Sequence, residues 1–139
     1  MPNRRDLFKL AAFNTLIAST SADNKLPNGT LDKSQAKVTH ETFGDLRLYH
    51  EGSTDQLGAL TFGSLLLKPG MSPHPPHQHP EEEFMIVADG TGEIFCDGKT
   101  TEVGPGAIMY CAGNVLHGIT NTGQVPMTFY WSKWTAKGF

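Results

Sequence analysis

Turn signals cut this chain into short strand-length runs, and that punctuation limits the folds open to it. Asp97-Gly98 separates Glu93–Cys96 from Thr100–Val103. Asp-Gly between strand-like runs marks a hairpin, because both turn positions take positive φ. Leu46-Arg47-Leu48-Tyr49-His50 alternates in polarity, and Leu60–Leu67 is an apolar run that stops at Lys68-Pro69-Gly70. Gly104-Pro105-Gly106 turns the chain into Ala107–Tyr110, His117-Gly118-Ile119 starts a further strand, and Met127–Trp134 is a final aromatic one. Fifteen glycines and nine prolines at 38% hydrophobic content suit many short strands better than a helical bundle. At 139 residues there is room for one core. About eight or more short strands in one small domain imply an all-β double-sheet jelly roll or closed barrel.

The chemistry concentrates in residues 74–90, HPPHQHPEEEFMIVADG, and in residues 106–121, GAIMYCAGNVLHGITN. In a strand, His77 and His79 would point to one face and Gln78 to the other. Glu83 keeps that parity beyond a turn at Pro80–Glu81. Imidazoles and a carboxylate converging from neighbouring strands form a ligand set for a divalent transition metal. A His-x-His pair alone is weak evidence, and a run such as Glu81-Glu82-Glu83 is commonly a solvated acidic loop.

Ordered spacing strengthens the reading. Gly70, His77, His79, Glu83 and Gly90 are followed by Gly106, His117 and Asn121. This order resembles the cupin superfamily, whose first motif runs Gly, five residues, His-x-His, three or four residues, Glu, six residues, Gly. From His79 to Gly90 the match is complete, whereas Gly70 lies one residue too far upstream. The second motif runs Gly, five residues, Pro-x-Gly, two residues, His, three residues, Asn. Here Ala112 stands for the Pro and Asn114 for the Gly. Asn tolerates a left-handed backbone, so that turn can survive. The resemblance covers roughly residues 60–121. It implies a double-stranded β-helix with His77, His79, Glu83 and His117 as metal ligands. It also implies that Glu83 can leave the metal and act as a catalytic base.

The donors are nitrogen and oxygen without sulfur. They suit one divalent transition metal, iron or manganese first, with nickel, cobalt, zinc or copper as further candidates. Cys96 and Cys111 match no metal motif and read as buried thiols, with a disulfide as the alternative in an oxidising compartment. His74 differs in parity from His77 and is expected at the pocket rim or in solvent, and His40 and His50 at the surface. Met85 and Val87 share the parity of Glu83 and are expected to line the lumen.

Asn3-Arg4-Arg5-Asp6-Leu7-Phe8-Lys9 resembles a twin-arginine export motif, followed by a modest apolar stretch from Leu10 to Ala18. That stretch is too short to span a bilayer permanently. Small residues then offer cleavage after Ala22. The expected organisation is therefore a signal peptide over 1–22, a polar linker or arm over 23–37, and the barrel over 38–139. Cleavage would remove Arg4, Arg5, Lys9 and Asp6, a net +2, taking the formal charge from −3 to −5. The expected location is periplasmic or secreted in a bacterium, without stable membrane association after cleavage. With no basic run, nucleic acid is not an expected partner.

Three functions follow from the resemblance. The first is a dioxygenase-like oxidoreductase, similar to quercetinase-type cupins, that binds a small phenolic or enolic substrate at the metal. The second is a non-oxidative lyase, isomerase or decarboxylase of a small acid or sugar, and the third a non-catalytic ligand- or metal-binding protein. Because small cupins often pair through terminal strands, the aromatic tail of Phe129, Tyr130, Trp131, Trp134 and Phe139 is expected in the core or in a homodimer interface. Solution scattering should return the mass of a dimer; a monomer would count against that pairing.

Overall fold

Alternating polarity becomes alternating burial in this protein. The computed structural model describes residues 24–138, so the expected signal peptide lies outside the described residues. Among the described residues nine strands follow in order: β1 Lys37–Glu41, β2 Gly44–Gly52, β3 Leu57–Leu67, β4 Glu82–Asp89, β5 Gly92–Cys96, β6 Lys99–Val103, β7 Ile108–Cys111, β8 His117–Thr120 and β9 Met127–Ala136. In β4, Glu83, Met85 and Val87 are buried while Glu82, Phe84 and Ile86 are exposed. That is the period of two expected of a strand with one face on a core.

The strands form a six-stranded sheet, ordered β1-β2-β3-β9-β4-β7, and a three-stranded sheet, ordered β6-β5-β8. All named pairs are antiparallel. Two such sheets, face to face, make a jelly roll. Leu65, Leu67, Met85, Val87, Met109, Met127 and Phe129 from the larger sheet meet Ile94 and Ile119 from the smaller one in a single core. The expected β5–β6 hairpin forms, with Asp97 at φ 52° and Gly98 at φ 79°. Asn114 also takes the left-handed conformation, at φ 62°, where the cupin motif has glycine.

Residues before β1 lie against the barrel. Leu26 donates to the Ser53 carbonyl at 2.9 Å, and Ser53 donates to the Asn24 carbonyl at 3.0 Å. A short 3-10 turn, Lys33–Gln35, carries a capping box in which Asp32 and Gln35 satisfy each other's backbone N–H groups. In this part of the chain the arm is a docked segment.

Asn121 ties three segments together at the end of β8. Its side-chain amide donates to the carbonyls of Leu67, at 2.9 Å, and Val125, at 2.8 Å, and its side-chain oxygen accepts from Gly123 N–H at 2.9 Å. Its backbone pairs with Gly70 and Met71. The side chain is fully buried, so its truncation would strand backbone groups at about 1–3 kcal/mol each. Asn121→Ala is expected to lower stability by about 2–4 kcal/mol in urea denaturation. A loss below about 0.5 kcal/mol, the scale of an ordinary surface change, would refute the tie.

Candidate metal centre

The site is built where a proline-rich loop meets β8. Pro73, Pro75 and Pro76 fix backbone angles and withhold N–H donors, so the chain between β3 and β4 cannot continue as a regular strand. It makes one antiparallel bridge. His77 and His117 exchange backbone hydrogen bonds, each 2.9 Å long. The expected strand through His77 and His79 is thus reduced to this bridge, with irregular chain from residue 78 to 81. Gly118 helps the approach, since a Cβ there would stand 3.2 Å from Pro76 Cα. Asn114 N–H holds the His79 carbonyl at 2.7 Å.

The loop and strands bring the expected residues together. The ligand atoms of His77, His79 and His117 lie within 4.8 Å of one another, and these three histidines can hold a metal ion. Glu83 is 5% exposed and faces them from β4. Its carboxylate oxygens stand 3.0 Å from His117 Nε2 and 3.8 Å from His79 Nε2. The longer contact is beyond hydrogen-bond reach and the shorter is not aligned as one, so His79 Nε2, His117 Nε2 and Glu83 Oε2 are buried polar atoms without a hydrogen-bond partner. Stranding such atoms costs about 1–3 kcal/mol each. Three at one point make an expensive arrangement unless a cation satisfies them, and nitrogen and oxygen donors fit a divalent transition metal.

Groups behind the donors orient them. The carbonyls of Val115 and Glu81 lie 2.9 and 3.1 Å from the Nδ1 atoms of His117 and His79. Carbonyls only accept, so Nδ1 of each ring carries the proton and Nε2 presents its lone pair to the centre. The Glu81 carboxylate also stands 3.1 Å from His79 Nδ1. That contact outweighs partial burial and holds the Glu81 carboxyl down at about 2. Glu81 is a positioning group through its backbone carbonyl, where the Glu run reads as a solvated loop in sequence; its carboxylate Oε2 has no aligned hydrogen-bond partner. Burial, reinforced by the neighbouring histidines, pushes His77 down to about 2, leaving it neutral and able to donate a lone pair. Burial also resists charging of His117, but the Glu83 carboxylate and the Val115 carbonyl win and raise it. The pull for positive charge that raises His117 is the field a metal cation would meet.

His74 lies at the cavity wall, the first of its two expected places, and not in solvent. It is buried at 8% exposure and stacks on His77, ring centroids 3.7 Å apart. Its parity is irrelevant because the proline loop is not a strand. His40 is exposed and paired with Asp45 at 2.7 Å, and His50 is half-buried. Cys96 and Cys111 are free thiols, and Cys111 Sγ lies 3.4 Å from His117 Nδ1. Burial, with Cys96 alongside, pushes the Cys111 thiol up to about 12, so it remains protonated.

A cavity of about 370 Å³ opens from the centre. Met85 lines it as expected, whereas Val87 lies one step deeper in the core and does not reach the wall. The aromatic tail divides. Phe129 and Trp131 line the cavity, Trp134 stacks on Phe84 outside the barrel at 5.6 Å, and Phe139 lies outside the described residues. Trp131 fits because its cross-strand neighbour is Gly63, where a Cβ would stand 2.7 Å from the indole. Lys133, two residues on, also lines the cavity, and burial lowers its pKa. Its odd-numbered parity with Phe129 and Trp131 is the sequence signal that reveals it.

The Cupin domain family matches residues 63–133, about half of the chain, a range that contains His77, His79, Glu83 and His117. The chain belongs to the cupin family. Solved structures agree on the fold. An RmlC-like cupin from Shewanella frigidimarina aligns with a TM-score of 0.64 at 15% identity, over 80% of this chain and 94% of that one. A predicted oxalate decarboxylase from Thermotoga maritima aligns at 0.63 and 19% identity, over 77% and 99%. The polyketide cyclase RemF from Streptomyces resistomycificus aligns at 0.60 and 16% identity, over 81% and 83%. No curated protein matches the chain significantly. At these identities the likeness concerns the cupin fold, and the site rests on its own geometry. His117→Ala is expected to remove most bound metal, read by elemental analysis, because His117 is the donor supplied by β8. Unchanged metal content would refute the centre.

Proposed function

We propose that this cupin is a metal-dependent enzyme of the dioxygenase type, acting on a small phenolic or enolic substrate. One observation carries the reading: unpartnered imidazole nitrogens and a buried carboxylate oxygen meet at the end of a largely apolar, aromatic-walled cavity. His77, His79, Glu83 and His117 would hold one divalent ion, iron or manganese ahead of nickel, cobalt, zinc or copper. Such an ion supplies Lewis-acid and redox chemistry toward a substrate oxygen. The chain's own contribution is the remainder. Glu83 accepts the proton of the substrate hydroxyl, Glu81 and the Val115 carbonyl keep His79 and His117 aimed, and Met85, Phe129 and Trp131 clasp the ring and exclude water.

A second reading has its own support. Solved cupin neighbours include a predicted oxalate decarboxylase, KdgF from Halomonas and a polyketide cyclase, consistent with a non-oxidative lyase, isomerase or decarboxylase of a small acid or sugar. We place the protein in the periplasm by way of the Arg4-Arg5 signal, a route that by its known nature carries folded proteins and so allows metal loading before export. We also propose a homodimer through the outer face of β4 and β7, where Phe84, Ile86, Ile108 and Tyr110 are exposed as facing cross-strand pairs.

The decisive experiment is elemental analysis of the natively exported protein, followed by oxygen-uptake assays over phenolic and enolic compounds. Stoichiometric iron or manganese and uptake with at least one compound are expected. Glu83→Gln should lower the rate per bound metal by about 10²–10⁴-fold, the usual worth of a general base. Zinc or copper alone, with no uptake for any compound, would overturn the oxidative reading. Consumption of a small acid or sugar without oxygen would establish the second.

A further inference from the structure

Lys133 is a cation at the metal end of the cavity that the chemistry above leaves unused. Register sets its direction. Glu51 pairs with Thr61 across β2 and β3, Thr61 with Lys133 across β3 and β9, and Lys133 with Glu83 across β9 and β4. Directly paired residues share a face, with Cβ atoms about 4.5–5.5 Å apart. Since Glu83 faces the cavity, so does Lys133, and both line it.

An ammonium facing the inside of a barrel is costly unless its charge is met. The plain solution would be an ion pair with Glu83 or Glu51. No described carboxylate oxygen comes within the 4.0 Å ion-pair distance of Lys133 Nζ. The ammonium rests instead over the Trp131 ring, 5.5 Å from its centroid. Cation–π contact offsets part of the charge and leaves the hydrogen-bonding capacity of Nζ free. Beyond it the wall is apolar, formed by Phe43, Leu65, Met85 and Phe129. At about 370 Å³ the cavity lies at the small end of ligand pockets, which run from about 300 to 1,000 Å³.

We propose that Lys133 is the anion-binding residue of this cavity, and that the ligand is a small planar organic acid. Its carboxylate meets Lys133 Nζ, its hydroxyl or enol oxygen is directed at the histidine cluster, and its ring or conjugated body packs on the apolar wall. The inference rests on the metal-dependent reading, because an ion held by Glu83 takes up the nearest carboxylate charge and leaves Lys133 in need of another. It narrows the substrate class from phenols and enols in general to those bearing an acid group.

Isothermal titration calorimetry of the manganese-loaded protein tests this with two probe pairs, salicylate against salicylamide and benzoate against benzamide. The acids should bind at least tenfold more tightly than the amides. Lys133→Met keeps the aliphatic stem and should abolish that preference, weakening the acids about tenfold or more while leaving the amides unchanged. Lys133→Arg should retain most of it. Equal binding of acid and amide by the native protein, absence of acid binding, or unchanged acid affinity in Lys133→Met would each overturn the proposal. So would loss of manganese together with a lower melting temperature in Lys133→Met alone, which would make Lys133 a structural support for Glu83. Failure of the native protein to retain any of manganese, iron, nickel, cobalt, zinc or copper would instead sink the metal-centre reading. The same titrations on the metal-free protein would then still decide the role of Lys133.

Discussion

The reciprocal backbone pair between His77 and His117 is the contact on which the site depends. It joins two segments forty residues apart in sequence and sets two imidazoles side by side, ring centroids 4.9 Å apart. Everything nearby serves that junction. Prolines keep the loop from pairing further, Gly118 allows the close approach, and Asn121 anchors the next residues of both segments. A single bridge suffices because the sheets already fix where β8 and the end of β3 lie. The donors therefore stand on a rigid frame although the loop that carries two of them has no regular structure.

A second constraint is the row that crosses the larger sheet: Glu51, Thr61, Lys133, Glu83 and Cys111. In most barrels such an inward row would be apolar. Here it carries three ionisable side chains and a thiol at the end of the barrel that holds the histidines, while the next inward rows supply Gly63, Trp131, Met85 and Met109, then Leu65, Phe129 and Val87. The molecule is thus graded from polar to apolar along its axis. The apolar rows hold the sheets together, and the polar row is available for chemistry. Burying unpartnered polar atoms works against stability, so an arrangement like this is consistent with ligands that satisfy them.

Much of this could be read from residue order, for identifiable reasons. Hairpins and strands follow from local backbone preferences, and Asp97-Gly98 and Asn114 took the left-handed angles their side chains tolerate. The histidine and glutamate positions were legible because the cupin spacing preserves them. Parity reasoning succeeded for Met85 in β4, whereas His74 reached the cavity wall for another reason, since parity has meaning only inside a strand and prolines had broken that one. The depth of Val87 and the inward turn of Trp131 escaped because burial along a barrel axis depends on which row a residue joins. Glu81 escaped because its role requires knowing where the His79 ring points.

Residue order by itself determined most of the strands, the cupin family and the side chains able to hold a metal. Those depend on local backbone chemistry and on spacing along the chain. Only the tertiary structure decided that the loop donors meet β8 through one bridge, that Glu81 sits behind His79, and that Lys133 enters the cavity without an ion-pair partner. These depend on strand register and on the packing of the two sheets. Register couples residues such as Glu51, Lys133 and Glu83 through space, and nothing in their separation along the chain encodes it.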